Sequence, residues 1–162
     1  AFMKQYAGAG VETPLLGPAF SFDQGILQAV GDAALGVKNT SQWSKDLDNP
    51  ANKQFVADFR AAYGRTPTLY ASQGYEAARL IGSALKSVAG DVSKFDELRA
   101  ALRKADFDSV RGRFSFTANQ HPVQNIYIRE VVADGQGGYT NKTLQAVFTD
   151  HGNAYVDECK MK

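Results

Sequence analysis

The chain has 162 residues, 44% hydrophobic and 11% aromatic, enough for a buried core of about one ordinary domain. Eighteen basic and 17 acidic residues leave a net charge of +1, which provides no basic footprint for nucleic acid and no acidic tail. No apolar run approaches the roughly 20 residues that span a bilayer and no signal peptide precedes the first helix, so the chain reads as soluble. Residues 1–10 resemble the body of an amphipathic helix with no cap before it, which predicts a fragment or a processed chain. Residues 11–16 read as a short strand ending at Gly17 and Pro18, residues 23–30 as a helix closed by Gly31, and residues 35–40 as another strand.

Three helices follow. Asn49 suits a cap, Pro50 suits the first helical position because its missing N–H would be unbonded there, and Gly64 ends the run. Phe55, Val56, Phe59, Ala62 and Tyr63 make its apolar stripe. The second helix, residues 69–89, sets Ala71, Tyr75, Ala78, Ile81 or Gly82, Leu85 and Val88 on one face, while Gly74, Ala77 and Gly82 permit a close neighbour such as a sheet. In the third, Ser93 and Asp96 read as a capping-box variant, with Phe95, Leu98, Leu102 and Ala105 buried. Residues 113–117 alternate as a strand with Phe114 and Phe116 on one face; residues 125–133 and 144–148 are two further strands, joined by a glycine-rich hairpin turn at 134–138.

No catalytic signature stands out. Gly8 and Gly10 lack the third glycine of a dinucleotide fingerprint, and no nucleophile elbow occurs. His121 and His151 are isolated, so neither a metal nor a cofactor is expected. Asn39-Thr40-Ser41 and Asn141-Lys142-Thr143 match a glycosylation sequon by chance. The single cysteine, Cys159, is a free thiol, an intermolecular partner, or half of a bridge whose other half lies elsewhere.

The order of certain short motifs is more specific. Asp48-Asn49-Pro50-Ala51-Asn52-Lys53 precedes Phe55-Val56; Tyr63-Gly64 precedes Pro67; then come Tyr70-Ala71, Gly74-Tyr75-Glu76-Ala77-Ala78, Arg111-Gly112 with Phe114 and Phe116, and Asn119, Pro122 and Gln124. Gly31-Asp32, Ala34, Gly36-Val37 and the terminal Cys159-Lys160-Met161 fit the same pattern. The sequence resembles the C-terminal half of a type I periplasmic solute-binding protein of an ABC importer, of the branched-chain amino acid and aromatic acid class. That resemblance implies an α/β fold with portions of two lobes, each a three-layer sheet with flanking helices. The chain crosses between the lobes three times in that family. Residues 1–41 would belong to lobe 2, 42–117 to lobe 1, and 118–162 would return to lobe 2. Sheet edges would lie open, to be covered by the N-terminal half of the same protein or by a swapped second copy.

The implied activity is binding, not catalysis: a small-molecule ligand closes the cleft between the lobes, and an ABC permease in the membrane receives the loaded form in the periplasm. The implied cleft residues are Pro18, Ala19, Phe20 and Ser21, with Trp43 as a second aromatic. Their loop occupies the position where amino-acid-binding relatives place an acid for the ligand ammonium. Here no carboxylate occurs before Asp23, which favours an aromatic or aliphatic acid over an α-amino acid. Ordinary packing is the competing reading for Phe20 and the favoured one for Trp43, Tyr70 and Tyr75. Arg111 and Arg113 could hold a ligand carboxylate, with ion pairing the favoured alternative. A branched-chain amino acid receptor, a sensory ligand-binding domain of the same fold and a small α/β enzyme are the other readings.

Overall fold

The computed structural model describes residues 1–160. Helix α1 (Phe2–Gly8) is followed by strand β1 (Leu16–Pro18), a 3-10 turn at Ala19–Phe22 and helix α2 (Gln24–Val30). A second 3-10 turn, Gly31–Ala34, leads into β2 (Lys38–Ser41). Then come α3 (Pro50–Tyr63), α4 (Leu69–Ser87), α5 (Phe95–Lys104), β3 (Ser115–Phe116), β4 (Pro122–Ala133) and β5 (Tyr139–His151). The architecture is the expected α/β one, a sheet with flanking helices.

β4 is the trunk of the sheet. Its residues Tyr127–Glu130 pair antiparallel with β2, its first two pair with β3, and its length pairs with β5 through the tight turn at Asp134, whose carboxylate accepts from the Gln136 and Gly138 amides. β1 pairs parallel with β2 at the end of the sheet. β1 starts five residues later than expected, because pairing runs Leu16 to Lys38 through Pro18 to Thr40 and β2 has no partner positions earlier. β5 extends well beyond residues 144–148 at both ends, drawn out by the length of β4.

Two buried clusters divide the apolar residues. One gathers Trp43, Leu47, Phe55, Val56, Leu69 and Val110 with Ala19; the other gathers Phe22, Leu27, Ala34, Val37 and Val131. Leu27 is wholly buried, a contribution of about 2 kcal/mol. The capping of α3 is as expected: Asn49 accepts from the Asn52 amide, and Gly64 takes the left-handed conformation that ends the helix.

The buried face of α4 differs from the apolar stripe. Leu69, Ser72, Glu76, Ala84 and Val88 are buried, whereas Ile81 is half exposed. Glu76 turns inward because Arg111 and Ser109 meet it, so the helix is rotated toward a polar anchor that hydrophobic periodicity overlooks. On α5 the expected capping box does not form. Ser93 instead donates to Asp91, and Phe95 is largely exposed because the helix packs chiefly on α4.

Candidate ligand-binding cleft

Because Pro18 and Thr40 stand side by side in parallel strands, the chain leaves the sheet at the same end after β1 and after β2. In α/β sheets that end is where ligands bind. The first exit curls into the 3-10 turn carrying Ala19 and Phe20; the second carries Ser41 and Gln42. The first turn of α4 stands opposite, and Ile126 of β4 contributes from the sheet. Together they enclose about 320 Å³, near the lower end of small-ligand sites. Gly17 shapes the turn: a Cβ there would fall 2.3 Å from the Phe22 ring, so only glycine permits the close return.

Pro18, Ala19 and Phe20 all line this space. Ser21 does not; it borders a separate groove of about 580 Å³ between α1, β1 and α2, which is mostly apolar, with Lys4 and Ser21 its polar side chains. The structure places Trp43 in the core at 3% exposure, with its indole N–H donated to Asn52 at 2.8 Å, so its ring is packed inside instead of facing the cleft. Tyr70, read from the sequence as packing, lines the cleft and is 59% exposed, as Phe20 is at 60%. A signal for it existed: Tyr70 follows the cap Thr68 within the first helical turn, and helical side chains lean toward the N-terminus. Tyr75 does pack, its ring 4.7 Å from that of Phe55. Gln42 and Gln73 are further lining residues that no motif marked.

The cleft lining contains no charged side chain. Asp23, the first acid after the turn, is buried and already engaged, accepting from the Leu69 amide at 2.7 Å and the Gly25 amide at 3.5 Å. The two candidate arginines are also committed. Arg111 pairs with buried Glu76 and donates to Gln124, while its guanidinium lies 4.5 Å above Phe114. Arg113 pairs with Asp150 at 3.3 Å. Among the described residues no group of His, Cys, Asp and Glu could hold a metal ion.

Beneath the cleft, a buried polar network fixes the end of β2. Arg129 donates to Asn39 Oδ1 and to the Trp43 carbonyl, Asn39 donates to Asn141, and Asn141 donates to the Phe22 carbonyl. Both sequon asparagines are therefore buried and bonded to each other. Burial pushes the Arg129 guanidinium down to about 10, against the opposing pull of Asp23 and Asp46.

Residues 1–136 match the family described as periplasmic binding protein. The chain belongs to that family. Within the periplasmic binding proteins it is 33% identical over 152 residues to the Leu/Ile/Val-binding protein homolog 6 of Brucella abortus, covering 89% of this chain and 38% of that protein. A solute-binding protein of an ABC transporter from R. palustris, solved in complex with benzoate, superposes with a TM-score of 0.88 at 39% identity, covering 98% of this chain and 42% of that one. Another from Rhodopseudomonas palustris BisB5, solved with 3,4-dihydroxybenzoic acid, gives 0.79 at 34% identity over 92% of this chain and 41% of that one. The chain thus spans about two fifths of the length of these periplasmic binding proteins.

Proposed function

We propose that the chain is part of an extracytoplasmic solute receptor that binds a small carboxylate, an aromatic or aliphatic acid in preference to an α-amino acid, and delivers it to an ABC permease. The observation that carries this reading is the part of the lining this chain supplies: Phe20 and Tyr70 are exposed aromatic surfaces, and none of its lining residues is a carboxylate that could meet an ammonium. Tyr70, Gln42 and Gln73 supply neutral hydrogen-bonding groups that can meet a carboxylate. The benzoate and dihydroxybenzoate complexes of two relatives support an aromatic acid. The Leu/Ile/Val name of the Brucella relative supports a branched-chain amino acid as the second reading.

In this account residues 1–41 and 118–162 belong to one lobe and 42–117 to the other; the cluster of Phe22, Leu27, Ala34, Val37 and Val131 falls wholly in the first, and the other cluster falls in the second apart from Ala19. The ligand favours closure by the difference between its affinities for the closed and open forms. The apolar groove beside α1 would be covered by the N-terminal half of the protein or by a swapped copy. Among the described residues no helix is long and apolar enough to cross a membrane, and the location proposed is the periplasm. A thermal-shift screen of the full-length receptor tests the ligand class, since binding raises Tm. Stabilisation by benzoate-like acids is expected; stabilisation by leucine or valine alone would favour the second reading.

A further inference from the structure

Asp23 joins two elements that the chain separates by 46 residues. It caps α2, its carboxylate accepting from the Gly25 amide and its carbonyl from the Ile26 amide at 3.0 Å. The other carboxylate oxygen accepts from the Leu69 amide, the first of α4, at 2.7 Å. Thr68, the cap of α4, is occupied with Ala71, so the Leu69 amide is satisfied from across the cleft. The two helix starts lie close: a Cβ on Gly25 would be 3.5 Å from the Thr68 methyl.

A helix N-terminus carries a partial positive charge, and two brought together repel unless an anion lies between them. Asp23 is that anion, and it is 6% exposed. Directly beside it are the two walls of the cleft, Pro18 to Phe20 on one side and Leu69 with Tyr70 on the other. We propose that Asp23 is a closure latch: its carboxylate, without touching ligand, holds the α4 N-terminus against the turn that carries Phe20, and so sets how tightly the receptor retains its ligand. The inference rests on the proposed two-lobed cleft. It assigns Asp23 a positioning role: a charged hydrogen bond between the two walls that breaks when they part would favour the closed form.

Two substitutions separate the latch from a simple helix cap. Asp23→Ser keeps an equally good cap for α2 but is too short to reach Leu69. Asp23→Asn keeps the shape and an acceptor but removes the charge. In the full-length receptor the latch predicts that both weaken benzoate binding about tenfold, the scale of one charged hydrogen bond, with faster dissociation. A capping role predicts wild-type binding in Asp23→Ser, and Kd within twofold of wild type would overturn the proposal. A second measurement needs no ligand: spin labels on Gln28→Cys and Ala57→Cys, in a Cys159→Ser background, report the separation of α2 and α3. Both Asp23 variants should lose the short separations that wild type samples. Superimposable distance distributions would overturn the latch. A wild-type receptor that ignores benzoate would count against the proposed ligand class alone, because the label distances still decide the role of Asp23.

Discussion

Arg129 donates from both Nε and Nη2 to the single Oδ1 of Asn39, at 3.0 and 2.6 Å, so a buried guanidinium is held by an amide instead of a carboxylate. Its third bond, to the Trp43 carbonyl at 3.0 Å, ties β4 to the chain just beyond β2. A lysine has no fork to reproduce this pattern. Arg129→Lys should lower unfolding free energy by about 2–3 kcal/mol, measured by urea denaturation. Because burial holds the folded guanidinium near 10, below its ordinary value, the folded state sheds the proton first and the contribution of Arg129 to stability rises with pH above about 10. Below pH 10 it adds no pH dependence.

The buried pair of Glu76 and Arg111 should behave asymmetrically. Removing either partner leaves a charge without compensation, so Glu76→Leu and Arg111→Met should each cost about 3–5 kcal/mol. The double variant Glu76→Leu with Arg111→Met should recover most of that loss. Additive losses in the double variant would contradict the pairing.

Asn52 has no exposed surface and donates to the carbonyls of Ser44, Lys45 and Leu47 while accepting from the Trp43 indole. Asn52→Asp keeps the size but sets an acceptor against three carbonyls. A loss of about 3 kcal/mol or more is expected, with a red-shifted Trp43 fluorescence if the indole gains water.

Asp46 provides the pH prediction. Burial raises its pKa, but hydrogen bonds from Ser44 and from the Thr143 amide and hydroxyl outweigh that and hold it below the ordinary 3.8. A carboxylate depressed in the folded state stabilises above its unfolded value and loses that contribution as the pH falls through the folded one. Asp46→Asn should therefore be less stable than wild type at pH 7, and the gap should narrow below pH 3.8. A constant gap between pH 7 and pH 2.5 would contradict this.

Local signals carried much of the fold. Asn49, Pro50 and Gly64 mark α3 because capping and left-handed termination are decided within a few residues. The hairpin at Asp134 was legible for the same reason. The inward turn of Glu76 was not, since its partners Ser109 and Arg111 lie more than thirty residues away and a lone glutamate reads as a solvated face. The cleft was half legible: the Pro18 to Phe20 turn follows from the strand before it, but Tyr70 reaches the cleft only because α4 starts opposite that turn. Trp43, a second candidate aromatic for which packing was the favoured reading, does pack, held by the indole N–H it donates to Asn52, a bond that nothing local reveals.

The most direct test of the central claim is equilibrium binding to the full-length receptor by titration calorimetry, with benzoate and leucine compared. The cleft chemistry predicts benzoate binding with a Kd of about 10 μM or tighter, near −7 kcal/mol, and no heat from leucine. Phe20→Ala and Tyr70→Ala should each weaken benzoate by about tenfold, as lost aromatic contacts do. Tight leucine binding with no benzoate heat would contradict the proposal that this cleft is built for an acid without an ammonium.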